Sequence, residues 1–554
     1  MPDAPTEDGA EPDNVARGQL RLEVRGGYAS GSRVPQWGGQ HSLVIEAIGG
    51  DTRLAGRQSA GPKPTILVSK LAGVAPAVPG AGQREMSKTA VTAADALVIF
   101  GITGDLARTM TLPALYHLEV AGGLGCPILG VAIEAWSDDR LRRSVRQAAE
   151  ADTTTVDEEA FERLARRLSY LQGDFTESAT FAKLAAELKS KRIRRPLFYL
   201  EIPPSLFAPV VAALGRAGLT SSARVMIEKP FGHDLASARA LNDELHEALD
   251  EDQILRIDHF LGKQPVLDVQ FLRFANTLLE PVWNRSSVAA VQVSMTEDSG
   301  VEDRGSFYDS VGTLRDVVQN HLLQTLALIA MEAPAGPGYS RLWDKKVEFF
   351  QAVADVDPAR CVRGQYNGYA SVTGVKADSM TETYVALRLE VDNWRWAGVP
   401  FFIRAGKALA ARSTEVRVIF KRPPRLAFLD EPHHTEPNEL VLRIDPDAGL
   451  RLVMLSKGPD GRASRAVHMD LPFAAELGKP AEPYERLLHD ALRGDGSLFT
   501  REDAVEESWR ILQPLVEYPP APLPYPRGSW GPPVADGLVR GHPAWRLPWL
   551  PDPP

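Results

Sequence analysis

The sequence predicts an α/β Rossmann-like dinucleotide-binding domain followed by an α+β domain with a large, mainly antiparallel sheet. Three observations carry that expectation. From residue 93 to about residue 232, short apolar strands alternate with amphipathic helices, the rhythm of a parallel sheet covered by helices. The stretch VIFGITGDLARTM, Val98 to Met110, runs a strand into a turn bearing two glycines and then into a helix. Beyond Arg285, apolar residues alternate along VAAVQVSM, TETYVALRLEVD, EVRVIF, ELVLRIDPDAGLRLVML and AVHMDL, as in strands of an antiparallel sheet.

The elements follow in order. Residues 1–92 are rich in Gly, Ala and Pro, with Tyr28 and Trp37 as their only aromatics, and are expected to form a mostly disordered extension; Met86 is the expected physiological start. Residues 93–270 are expected to form the dinucleotide-binding domain. ALVIFG is its first strand, and Leu106, Leu112, Leu115 and Leu118 mark the helix after it. PILGVA leads into DRLRRSVRQAAE, PLFYLEIP into LFAPVVAALGRAG, and RVMIEKP follows. Residues 271–554 are expected to form the second domain, its sheet interrupted by a long helix around LRDVVQNHLLQTLALIAME, with a hairpin turn at DPDAG and irregular, proline-rich chain from about Tyr518.

Composition narrows the function classes. With 554 residues, 44% hydrophobic and 24% charged, the chain is an ordinary globular sequence long enough for two or three domains. A formal charge of −10 argues against a nucleic-acid surface. Two cysteines, Cys126 and Cys361, supply no disulfide framework and favour a reducing compartment. No apolar run reaches the length of a membrane span, and the acidic start is unlike a signal peptide, so a cytoplasmic location is expected by elimination.

Several segments concentrate chemistry. In the turn after the first strand, Gly101 and Gly104 permit close approach of a ligand, and free N–H groups at a helix start favour an anion. Asp105 in the first helical turn suits the helix dipole. RIDHFLGK places Asp258, His259 and Lys263 at a strand end, where the histidine and lysine can grip a phosphate. His321 falls beside the inward stripe Leu314, Val318, Leu322 and Thr325 of the long helix. At roughly 100° per residue Asp316 lies about 140° around from it, flanking a cleft rather than pairing. His321 therefore needs another carboxylate, or is a core histidine bonded to backbone. Glu297 continues the alternation of Val291, Val293 and Met295 and needs a partner, either an arginine or a polyhydroxy ligand. Lys229 ends a strand in EKPFG, and its bond to Pro230 is a candidate cis peptide. Lys407 and Arg412, in IRAGKALAAR, read either as ligand contacts or as solvated cations.

Together, GITGDLA, EKPFG, RIDHFLGK, RDVVQNHLLQ, NWRWAGVPFFIRAGK and GSWGP resemble in residues and order the motifs of the glucose-6-phosphate dehydrogenase family, from about Ala96 to Leu550, most closely its actinobacterial branch. The resemblance implies oxidation of glucose 6-phosphate at C1, with hydride passing to NADP or NAD, as the first step of the oxidative pentose phosphate pathway. It implies no metal, and a homodimer or homotetramer. It assigns His321 as general base and Asp258 as the carboxylate that orients it. His259 and Lys263 correspond to the phosphate grip, Glu297 and Asp316 to acceptors for sugar hydroxyls, Lys407 and Arg412 to further substrate contacts, and Lys229 to a group reaching both sugar and nicotinamide. Gly101, Thr103, Gly104, Asp105, Leu106 and Arg108 correspond to the cofactor turn, the glycines making room for the dinucleotide and Asp105 capping or orienting the helix start.

Departures from the family pattern bear on substrate and cofactor. Phe260 stands where a tyrosine is usual, and Arg108, Thr109 and Met110 replace a basic run ending in lysine. Ile133 and Glu134 occupy the region where NADP-using members place an arginine, and an acid there favours NAD; Arg108 and Arg140 are the cations that would compensate. The alternatives are a dehydrogenase of another sugar phosphate and a catalytically weak sugar-phosphate-binding regulator.

Overall fold

Six short apolar segments build the first sheet: β1 (Ala96–Phe100), β2 (Ile128–Ala132), β3 (Leu168–Gln172), β4 (Pro196–Leu200), β5 (Arg224–Ile227) and β6 (Ile254–Ile257). In the computed structural model, which describes residues 93–424, 436–458, 464–478 and 480–551, these strands are mutually parallel. The expected N-terminal extension, with Met86, lies outside the described residues. β1, β2 and β4 are buried along their whole length, which explains why they read as unbroken apolar runs rather than alternating ones. Helix starts are set locally: Ser137 and Asp157 each accept a backbone N–H of the following helix, and Asp234 and Ser237 form a reciprocal capping box.

The second sheet takes β7 (Val288–Thr296), β8 (Cys361–Tyr366), β9 (Tyr384–Leu389), β10 (Phe401–Gly406), β11 (Ser413–Phe420), β12 (Glu439–Asp445), β13 (Gly449–Lys457) and β14 (Ser464–Pro472). Two strands arrive late: β15 (Phe499–Thr500) joins the first sheet antiparallel to β6, and β16 (Leu523–Tyr525) joins the second beside β8. The orders are β15-β6-β5-β4-β1-β2-β3 and β14-β13-β12-β11-β7-β10-β9-β8-β16. The second sheet is antiparallel except for the pairs β7 with β10 and β8 with β16. The expected turn at DPDAG joins β12 to β13, and the proline-rich end, expected to be irregular, supplies an edge strand as well.

The stretch 271–554, expected as one domain, does not stay with one sheet. Tyr484, Leu487, Leu488 and Leu492 of the helix Pro483–Arg493 enter the core under β1 and β2, and Val505 and Trp509 of the helix Glu502–Glu517 enter the core on the other face. The apolar stripes of these helices find their cover on the first sheet, so space and chain order part company. Among the described residues no helix is long and apolar enough to cross a membrane.

The expected long helix also departs from the uniform 100° rotation. Leu314–Leu322 is π-helical and continues as the α-helix Leu323–Ala330. In a π-helix the N–H of residue i+5 bonds back to residue i, so residues five apart become neighbours. Asp316 and His321 are five apart.

Candidate active site

The site is built on strand ends. In the first sheet the chain leaves β1 for β2 on one side and later returns to β4 on the other, so the carboxyl ends of β1 and β4 flank the crevice where such folds bind dinucleotides. Gly101 has φ +83°, and a Cβ there would stand 2.1 Å from the carbonyl oxygen of Glu201 after β4. Its freedom thus serves the close approach of β1 to β4, a different reason from room for the dinucleotide. Gly104 is exposed on the turn, and a Cβ there would lie 3.1 Å from the Gly101 carbonyl.

Asp105 does not cap the helix: its carboxylate pairs with the Arg108 guanidinium on the open surface, three residues along the same turn. Leu106 packs against the core rather than facing the turn. Thr103 Oγ donates to Glu134 Oε2 at 2.7 Å, so Glu134 stands beside the glycine turn just past β2. Arg140 lies over the ring of Trp136 at 4.9 Å, six residues on from Glu134 in sequence. The open glycine turn at a helix start, with a carboxylate next to it, fits a dinucleotide carrying its pyrophosphate on the turn.

Lys229 and Asp258 extend adjacent parallel strands. Ile227 of β5 pairs with Arg256 of β6, so Lys229 and Asp258, each two residues on, emerge side by side. The Lys229–Pro230 peptide is cis, as expected. Asp258 Oδ1 bonds His321 Nδ1 and accepts the Phe260 N–H at 3.0 Å; His321 and Asp258 are both buried. Asp258 is the further carboxylate that His321 needed. The other imidazole nitrogen, Nε2, is 3.0 Å from Lys229 Nζ, which also donates to the Asp316 carbonyl at 2.8 Å and lies 3.4 Å from its carboxylate. Asp316 and His321 therefore share one ammonium instead of flanking the cleft from opposite sides, because the π-helix reduces the angle between them.

Burial pushes the His321 imidazole below its usual range, with Asp258 pulling the other way. Burial also works to raise Asp258, but the attraction of His321, reinforced by His259 and Lys229, holds it well below the usual carboxylate range. A neutral imidazole beside an ionised carboxylate is the state a general base requires. His259 contacts His321 edge to face at 4.7 Å, and burial, followed by the His321 charge, pushes it down to about 3. Phe260 stacks on His321 at 5.1 Å, and Lys263 Nζ sits 4.6 Å from the centre of the Phe260 ring. Burial lowers Lys263, while Asp445 pulls it up; Asp445 also bonds Arg412 at 2.8 Å.

Glu297 and Lys407 follow parallel neighbours, β7 and β10, whose register sets Thr296 against Gly406. Their side chains pair at 2.7 and 2.8 Å, and Glu297 is half-buried just past the strand, so its partner is a lysine rather than an arginine. Burial tends to raise Asp316, but Lys229 and then Lys407 hold it low, linking this pair to the Lys229 cluster.

Three residues were missed by the sequence reading. Glu228, buried, accepts from Tyr199 at 2.8 Å and from Tyr484 at 3.1 Å, and the Tyr484 ring stacks on His259 at 6.3 Å. Burial pushes Glu228 up to about 7. Glu228 lies inside EKPFG, next to Lys229, which is a local signal; Tyr484 opens a remote helix and carries none. By distance alone Asp258, His259 and His321 could hold a metal ion, as could His246, Glu251 and Glu502.

A parallel sheet with a dinucleotide-binding strand order, carrying a buried His-Asp pair beyond the carboxyl end of one of its strands, is the architecture of a nicotinamide-dependent dehydrogenase. The comparisons agree. Residues 98–268 match the glucose-6-phosphate dehydrogenase NAD binding domain and residues 270–546 the C-terminal domain of that enzyme. The chain is 56% identical over 459 residues to glucose-6-phosphate 1-dehydrogenase 1 of Mycobacterium tuberculosis, covering 83% of this chain and 97% of that one, and 37% identical over 481 residues to the enzyme of Dickeya dadantii, covering 82% and 98%. The crystal structure of glucose-6-phosphate 1-dehydrogenase from Mycobacterium avium superposes with a TM-score of 0.78 at 55% identity over 83% of this chain and all of that one. A glucose-6-phosphate dehydrogenase in complex with glucose 6-phosphate gives 0.76 at 34% identity over 82% and 99%. The chain belongs to the glucose-6-phosphate dehydrogenase family.

Proposed function

We propose that the chain oxidises D-glucose 6-phosphate at C1 to 6-phospho-D-glucono-1,5-lactone, the first step of the oxidative pentose phosphate pathway. The observation that carries the reading is the buried His321–Asp258 pair beyond the carboxyl end of β6, on the edge of the sheet that also bears the glycine turn. Neutral His321 removes the proton of the C1 hydroxyl, and Asp258 holds the imidazole in place and stabilises its cation. When bound, the nicotinamide cofactor accepts the hydride that leaves C1. His259 and Lys263 hold the 6-phosphate, Glu297 and Asp316 accept sugar hydroxyls, Lys407 and Arg412 add polar contacts, and Lys229 spans the sugar and nicotinamide sides.

Gly101, Thr103, Gly104, Asp105, Leu106 and Arg108 form or support the cofactor turn. The family relation favours NADP; Glu134, beside Thr103, favours the free 2′-hydroxyl of NAD, and Arg108 and Arg140 are the cations that would compensate for it. The enzyme works in the cytoplasm as a homodimer or homotetramer. Its subunit contact is the second sheet, where Val467, Met469 and Leu471 leave an apolar row exposed on β14. Initial rates with glucose 6-phosphate and either NADP or NAD test the reading. Reduction of either cofactor is expected, and the ratio of kcat/KM values reports whether Glu134 selects; no reduction with either refutes the proposed activity.

A further inference from the structure

Asp258 has a second oxygen that His321 does not use. Oδ2 is buried and has no hydrogen-bond partner. A buried, ionised carboxylate oxygen in that state is costly. The helix Tyr339–Ala352 carries Lys346, 1% exposed, whose ammonium forms no hydrogen bond or ion pair with any described residue. The strand register relates the two. Phe499 of β15 lies opposite Ile257, the residue before Asp258, and Trp343 Nε1 donates to the Phe499 carbonyl at 2.9 Å. Lys346 is three residues on from Trp343, so it leaves the helix on the face that meets β15, the strand paired with β6.

We propose that Lys346 is a positioning residue of the His-Asp pair, supplying the counter-charge for Asp258 Oδ2 and so keeping the carboxylate ionised with Oδ1 turned to His321 Nδ1. The inference rests on the role given to His321 and Asp258 above. Burial pushes the Lys346 ammonium down to about 8, and Asp258 is the charge that pulls it up. The other groups that act on this pair are His259, Lys229 and Asp316, with Glu228 and Tyr484 beyond them. Among them Lys346 is the buried cation to which the catalytic cleft assigns no ligand.

Lys346→Met in the full chain tests this. The variant is expected to lose about tenfold in kcat, mid-range for coupling between neighbouring groups, with KM for glucose 6-phosphate within about twofold of the parent. The acid limb of kcat/KM is expected to move to higher pH, because one cation fewer opposes protonation of His321. An unmoved limb with unchanged kcat overturns the proposal. Melting temperatures of Lys346→Met, Asp258→Asn and the double variant read the pairing without reference to activity. Each single change leaves one buried charge alone, so the double variant is expected to recover part of the loss. Additive losses overturn the proposal. If Lys346→Met does not fold, the double variant is still expected to melt above Asp258→Asn, and an equal or lower value overturns the pairing. A parent chain without dehydrogenase activity removes the functional reading, while the melting cycle still decides whether the two residues pair.

Discussion

Lys229 Nζ lies 3.0 Å from Nε2 of His321 and 2.8 Å from the carbonyl oxygen of Asp316, so one ammonium ties the end of β5 to a π-helical turn. With Asp258 on Nδ1 and an ammonium donating toward Nε2, the imidazole keeps its proton on Nδ1 and its lone pair at Nε2. In the proposed reaction the substrate hydroxyl takes the place of the Lys229 ammonium on that lone pair.

His321→Asn removes the proton acceptor and keeps a polar side chain. Turnover is expected to fall by a factor of about 10²–10⁴ while substrate binding changes little. Steady-state kinetics check it, and an unchanged turnover removes His321 from the mechanism. In the parent, burial holds the His321 pKa below 6.5. The base therefore stays neutral to lower pH than an exposed histidine would, and the acid limb of kcat/KM is expected at correspondingly lower pH.

Lys263 faces the Phe260 ring, among the described residues makes no ion pair, and is remote from the proton acceptor in role. Lys263→Ala is expected chiefly to raise KM for glucose 6-phosphate, since a contact to the 6-phosphate serves ground and transition states alike. A fall confined to kcat contradicts that role.

Gly101→Ala should destabilise the chain by about 2–4 kcal/mol, combining a left-handed backbone with an overpacked neighbour. The new Cβ would meet the Glu201 carbonyl at 2.1 Å, and φ is +83°. Denaturant unfolding measures the loss; a change below about 0.5 kcal/mol, the range of neutral surface substitutions, contradicts the packing argument.

Glu201 and His259 contribute to the pH dependence of stability in opposite directions. Burial pushes Glu201 from 4.5 up to about 8, so over that window the native carboxyl keeps a proton the unfolded chain has released, and stability falls as pH rises. His259, lowered from 6.5 to about 3, binds its proton first in the unfolded chain, and stability falls as pH drops through that window. Glu201→Gln is therefore expected to raise the melting temperature relative to the parent increasingly between about pH 5 and about pH 8. A difference independent of pH would show that Glu201 is not the group responsible.

Much of the first sheet was legible because its strands are short, wholly apolar and separated by amphipathic helices; β1, β2, β4 and β5 lie where their patterns put them. The second sheet was legible from alternation, though not the parallel pairs β7 with β10 and β8 with β16, since pairing direction leaves no mark on a strand's own side chains. Lys229, Asp258 and Glu297 stood out as charged residues at the ends of apolar strands, a one-dimensional signal. Their pairings were beyond it.

What the sequence by itself determined is the set of elements, the strand ends that carry charge and the family to which the motifs belong, because each depends on neighbours within a few residues. Only the tertiary structure decided which charges meet. Tyr484 reaches Glu228 from 256 residues away, and Asp258 reaches His321 across 63. The π-helical turn brings Asp316 next to His321 against the rotation an α-helix would impose. These contacts depend on how helices seat their apolar faces on the two sheets, a balance of many small packing terms summed over distant segments, and no local run of residues contains that sum.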